Sequence, residues 1–155
     1  MFNFILKKNL EVFAPCSGQI LDITQVPDPV FADKTMGDGF AVEPDNDTIA
    51  APWDGTITFL PRTTHALVIE NNGVQLLIHI GLDTVELHGE GFTALIQEGD
   101  IVKKGTPLIK FDRAFIQKKQ KRLTTMVVLC NQDDVVAKLE KNLSGAGPIL
   151  KITHK

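Results

Sequence analysis

An all-β fold, an antiparallel β-sandwich or barrel built from turn-plus-strand pseudo-repeats with one or two very short helices, is predicted by three observations. Short apolar runs at 19–23, 40–42, 56–60, 107–111 and 126–129 are cut off from one another by Gly, Pro, Asp and Asn, the punctuation of strands rather than of βαβ units. A pair of apolar runs around Asn71-Asn72-Gly73 reads as a hairpin. An A-P-x-x-G-x-I frame occurs twice, at Ala14–Ile20 and Ala51–Ile57, each time as an extended dipeptide running through a tight turn into a strand.

Taken in order, residues 1–9 form an N-terminal tail and residues 10–155 a single domain. The tail places Lys7 and Lys8 after a short apolar run, the reverse of a secretory signal. The five-residue run at 2–6, apolar but for Asn3, gives little membrane binding, and no run approaches transmembrane length. The first frame then opens a strand at 19–23, and the second opens one at 56–60. The stretch Glu98–Leu108 reads as the turn of another hairpin and resembles the segment that precedes a strand in biotinyl and lipoyl carriers. Residues 113–121 and 132–138 are the helical candidates, and Lys118, Lys119 and Lys121 form their solvated face. Trp53 is a packing residue; His88 and His154 read as solvated.

The hairpin carries the most chemistry. A three-residue loop Asn71-Asn72-Gly73 would place His65 opposite His79, with Ala66, Val68, Leu76 and Ile78 on a core face and His65, Leu67, Leu77 and His79 on the other. A two-residue Asn72-Gly73 turn is also good hairpin chemistry; it would pair His79 with Ala66 and turn His65 to the opposite face. The apolar pattern favours the first register. Cross-strand imidazoles on an apolar floor suit metal binding or phosphoryl transfer.

Composition bounds the setting. With 155 residues, 43% of them hydrophobic, the chain can bury one sound core. Its net charge of −3 gives no electrostatic case for nucleic acid or a membrane surface. Cys16 and Cys130 are far apart in sequence and do not make a disulfide framework, so a reducing compartment, the cytoplasm, is expected.

The run His79-Ile80-Gly81-Leu82-Asp83-Thr84-Val85-Glu86-Leu87-His88-Gly89-Glu90-Gly91-Phe92 resembles the phosphorylation-site signature of the IIA component, glucose class, of the bacterial sugar phosphotransferase system. So do Val26-Pro27-Asp28-Pro29-Val30-Phe31-Ala32, Met36-Gly37-Asp38-Gly39-Phe40-Ala41 and Thr63-x-His65-Ala66. The resemblance runs in order from about Leu10 to Ile152. It implies a phosphocarrier that supports sugar uptake and phosphorylation. His79 would accept a phosphoryl group as a tele-phosphohistidine from the histidine phosphocarrier protein and pass it to a cysteine on the IIB domain of a sugar permease. His65 would stabilise the phosphoryl group, and Thr63, two residues earlier, would orient His65. Asp28 and Asp83 would flank the site and pair with arginines on the partners, around an apolar patch of Val30, Phe31, Leu77 and Val85. Apart from Arg62, no lysine or arginine adjoins either histidine in sequence.

The resemblance implies no required cofactor, although zinc could bind adventitiously at His65 and His79, and it leaves room for regulatory targets. A zinc metallohydrolase using the two histidines and Asp83 is the alternative. A lipoyl or biotinyl carrier is the other; it needs a lysine at a hairpin tip, where this chain has Asn71-Asn72-Gly73.

Overall fold

The computed structural model describes residues 9–155. The predicted tail, with its apolar run and lysines, lies outside them except for Asn9. Three antiparallel sheets share one main core. The first joins β1 (Asn9–Val12), β13 (Leu150–His154) and β12 (Val136–Lys141). The second joins β4 (Thr48–Ala50), β10 (Pro107–Phe111) and β8 (Phe92–Ala94).

The third has seven strands in the order β2 (Gly18–Asp22), β3 (Asp38–Pro44), β11 (Thr125–Leu129), β7 (Val74–Ile80), β6 (Ala66–Asn71), β5 (Gly55–Phe59) and β9 (Ile101–Val102). The sheets do not close on themselves, so the architecture is a sandwich rather than a barrel. Three helices of four to six residues complete it: α1 (Pro29–Ala32), α2 (Arg113–Lys118) and α3 (Gln132–Val135). Among the described residues no helix is long and apolar enough to cross a membrane.

Strand β11 explains the layering. Its sequence Thr-Met-Val-Val-Leu is buried throughout, because both faces of the sheet centre are covered. Val127 and Leu129 join the main core with Phe40, Leu67, Ile69, Leu76 and Ile78. Met126 and Val128 face the other way, into a smaller cluster with Ile23, Val26, Phe31, Ala41, Ala66, Leu77 and Leu82. That second cluster is roofed by the segment around α1.

The repeated frames interlock. Phe13 N–H donates to the Pro52 carbonyl at 2.9 Å, and Ala50 N–H donates to the Pro15 carbonyl at 2.8 Å. The residue ahead of each Ala-Pro thus bonds the proline of the other frame, a reciprocal arrangement that relates the two turn-plus-strand units. Trp53 is buried and its indole N–H donates to the Ile69 carbonyl at 3.3 Å, a packing role.

Several expectations are corrected. The Glu98–Leu108 stretch is not a hairpin turn, because β9 pairs with β5 while β10 pairs with β4 and β8. The helix at 113 stops at Lys118, and Lys121 reaches back to form an ion pair with Glu86 at 2.6 Å rather than lying on a solvated face. The residues from Val136 onward are strand, β12 pairing with β13 with an irregularity between Val136 and Lys138. His154 is half-buried; its Nε2–H can donate to the Asn72 carbonyl at 2.8 Å, which ties the last strand to the hairpin tip.

Candidate functional site

The β6–β7 hairpin takes the two-residue register. Asn71 pairs with Val74, Val68 with Leu77 and Ala66 with His79. Asn72 (φ 49°) and Gly73 (φ 80°) are both left-handed, as a type I′ turn requires, and Asn-Gly suits both positions. The favoured three-residue register is therefore overturned, and with it the division of faces. Leu67, Ile69, Leu76 and Ile78 line the main core, while Ala66, Val68, Leu77 and His79 share the outer face.

The two histidines nevertheless meet. Their ring centroids lie 4.9 Å apart in an edge-to-face arrangement. Strict alternation would have sent His65 to the inner face, but His65 precedes β6 and follows Thr64, which is left-handed at φ 49°. Freed from the strand's alternation, the His65 side chain turns to the side of His79, while its carbonyl accepts the Ile80 N–H at 2.7 Å. Thr63 also lies outside the strand, yet its hydroxyl sits 2.7 Å from His65 Nδ1.

His79 is held at one ring nitrogen. Its Nδ1 lies 2.9 Å from the Gly81 carbonyl oxygen, which can only accept, so Nδ1 carries the proton and Nε2 keeps a free lone pair. Phe31 packs against the ring with centroids 5.2 Å apart. Burial lowers the pKa of His79; the Gly81 hydrogen bond and the charges of Asp28 and Asp83 act in the opposite direction. His65, only 8% exposed, is pushed down to about 4 by burial first and by His79 second. Both shifts favour the neutral ring.

Asp28 caps α1, its carboxylate accepting from Val30 N–H at 3.0 Å, and Pro29 sits at the first helical position where its missing N–H costs nothing. Asp83 is exposed, left-handed at φ 59°, and its carboxylate caps nothing. The two acids border one cleft with Pro27, Pro29, Leu82, Lys121 and Arg122. Those two cations were invisible to sequence reasoning at this site, since they lie some forty residues along the chain from His79; only the fold brings them in. The Gly81 carbonyl was equally unreadable, because a backbone acceptor leaves no residue type as a signal.

The predicted apolar patch divides in two. Val30 and Val85 are exposed, at 46% and 48%, whereas Phe31 and Leu77 are buried at 5% and 8% and form the floor beneath the imidazoles. Among the described residues, no group of three His, Cys, Asp or Glu side chains is placed to hold a metal ion, so Asp83 does not complete a three-ligand set with the histidines.

Comparison with known proteins agrees with this geometry. Residues 10–135 match the family model described as phosphoenolpyruvate-dependent sugar phosphotransferase system, EIIA 1. The chain is 47% identical over 129 residues to the PTS system glucose-specific EIIA component of Oceanobacillus iheyensis, covering 83% of this chain and 78% of that protein. It is 45% identical over 134 residues to the component of the same name from Haemophilus influenzae, covering 86% and 81%. The solved structure of glucose permease IIA from Mycoplasma capricolum superimposes with a TM-score of 0.79 at 31% identity, covering 98% of both chains. With paired imidazoles in a fold shared along its whole length, the chain belongs to the EIIA 1 family of the phosphoenolpyruvate-dependent sugar phosphotransferase system, as a phosphocarrier component.

Proposed function

We propose that His79 is the phosphoryl acceptor, through Nε2, and that His65 steadies the transferred group. The observation that carries this reading is the His79 Nδ1–Gly81 carbonyl bond of 2.9 Å beside an imidazole 4.9 Å away. With Nδ1 protonated, the Nε2 lone pair forms the new N–P bond while the donor's N–P bond breaks, and the electron pair of that bond stays on the donor ring. The positive charge that develops on His79 is met at Nδ1–H by the Gly81 carbonyl. No proton has to leave and no cofactor takes part.

In this reading the Thr63 hydroxyl, 2.7 Å from His65 Nδ1, is the donor, which leaves His65 Nε2 as an N–H able to donate to a phosphoryl oxygen. A lowered pKa keeps His65 neutral, so it holds the phosphoryl group by a directed hydrogen bond and not by a full charge that would oppose onward transfer.

The donor in this reading is the histidine phosphocarrier protein, and the acceptor is a cysteine on the IIB domain of a sugar permease, both met in the cytoplasm. Asp28 and Asp83 attract basic groups on these partners. The exposed Val30 and Val85 supply apolar contact over the floor of Phe31 and Leu77. Glucose-specific relatives suggest glucose as the sugar.

Incubation with phosphoenolpyruvate, enzyme I and the histidine phosphocarrier protein, followed by intact mass and site mapping, tests the proposal. One acid-labile phosphoryl group on His79 is expected. No labelling with active donors, or a label on His65, would overturn it.

A further inference from the structure

Strand β7 ends at Ile80, one residue before the carbonyl that orients His79, so the sheet ladder no longer holds the chain where orientation matters most. Two peptide units follow, Ile80–Gly81 and Gly81–Leu82, with Gly81 at φ 82° between them. All four polar ends of these units are engaged. The Leu82 N–H donates to the Arg122 carbonyl at 3.0 Å; because a trans peptide is planar, the Gly81 carbonyl of the same unit must point the other way, towards His79 Nδ1. The Gly81 N–H donates to the Thr124 carbonyl at 3.0 Å. The fourth end, the Ile80 carbonyl, accepts the Thr84 hydroxyl at 2.5 Å.

Thr84 is fully buried, and its hydroxyl is the side-chain donor in this set. It is brought back under Ile80 by the left-handed Gly81 and Asp83. Its methyl also fills the space beside Gly81: a Cβ built at position 81 would lie 2.5 Å from Thr84 Cγ2 and 2.7 Å from the Arg122 carbonyl oxygen. Gly81 is the flexible joint of this turn, and Thr84 closes on it from both sides, by hydrogen bond and by contact.

We infer that Thr84 is a positioning residue for phosphoryl transfer: by locking the Ile80–Gly81 peptide it aims the Gly81 carbonyl at His79 and so holds His79 in the tautomer with a free Nε2. The inference rests on His79 being the acceptor, but the tautomer can be read without any phosphoryl transfer. Without the hydroxyl, the Ile80 carbonyl is left buried and unpaired, and rotation about Gly81 is the cheapest relief. That rotation carries the Gly81 carbonyl off Nδ1, and the proton redistributes between the ring nitrogens.

The test compares the wild type with Thr84→Val, which keeps the shape and the methyl, and Thr84→Ser, which keeps the hydroxyl. Long-range proton–nitrogen spectra of 15N-histidine-labelled protein at pH 8, where both rings are neutral, report the tautomer of His79. The wild type and Thr84→Ser are expected to show Nδ1–H alone. Thr84→Val is expected to show a mixture with Nε2–H, and to accept phosphoryl groups about threefold more slowly as the competent fraction falls.

An unchanged tautomer in folded Thr84→Val overturns the inference. Should that variant not fold, Thr84→Ala decides: Nδ1–H alone there, with the hydroxyl absent, overturns the inference, and a mixture with Nε2–H upholds it. Failure of the wild type to label on His79 would sink the acceptor assignment instead, whatever the tautomer shows.

Discussion

The two faces of the β6–β7 hairpin are made from similar residues and do different things. On the inner face Leu67, Ile69, Leu76 and Ile78 are wholly buried in the main core. On the outer face Ala66, Val68, Leu77 and His79 meet a smaller cluster that includes Ile23, Val26, Phe31 and Leu82, and Val68 and His79 keep contact with solvent. The inner face is finished by the fold itself. The outer face is left open beside the imidazoles, where a partner protein can complete it. In the proposed reading stability and transfer fall on opposite sides of one strand pair, so residues adjacent in sequence, Ile78 and His79, should fail in opposite ways.

The strongest break in that comparison is His79→Gln. Phosphoryl acceptance should be lost altogether, as read by intact mass after incubation with the donor system, while the urea midpoint moves little. Retained labelling would show that the outer face does not depend on this ring. Ile78→Ala is the converse: a loss of about 3–5 kcal/mol in urea unfolding, from the cavity it opens in the main core, with labelling intact wherever the protein is folded. Leu77→Ala should cost less, about 2 kcal/mol, because its site can collapse or admit water at the rim. Equal losses at positions 77 and 78 would erase the distinction between the faces.

His65→Gln sharpens the comparison within the outer face. His79 should still be labelled, but onward transfer to the IIB cysteine should slow by about 10–100-fold for want of one directed donor. Equal slowing of acceptance and donation would mean that His65 acts on both steps alike.

The pH dependence follows from the sign of the shift. His65 has a folded value of about 4 against the usual 6.5, so the unfolded chain binds more protons between those limits. Stability is therefore fully present above pH 6.5 and falls as pH drops towards 4. His65→Gln should flatten that part of a urea-midpoint profile; a slope unchanged by the substitution would place the titration elsewhere.

The smallest effect expected is at Asp83. If its exposed carboxylate steers encounter as proposed, Asp83→Asn should slow association with a basic partner only a few-fold, and less at high salt. A salt-independent loss would point to a structural role for Asp83.

Much of this was legible in residue order. Apolar runs punctuated by Gly, Pro and Asp announced the strands because backbone turns need those residue types wherever they occur. The repeated A-P-x-x-G-x-I frame announced two related units, and reciprocal bonds between Phe13 and Pro52 and between Ala50 and Pro15 show them joined. The structure brings Thr63, His65, His79, Asp28 and Asp83 near one another.

The hairpin register was not legible, for a physical reason. Alternation selects a register when one face is polar, and here both faces are apolar because the outer one is roofed by Phe31 and its neighbours. The Asn-Gly turn, a purely local preference, won over the pattern. Sequence alone therefore determined the strands, the turn chemistry and the set of candidate site side chains, all of which depend on residue type and close neighbours. Tertiary structure decided which face each side chain took, how His65 escaped its strand to reach His79, and which carbonyl oriented the ring. Those depend on what lies across the sheet, and the partners there, Thr124, Arg122 and Phe31, come from segments far from the hairpin in sequence.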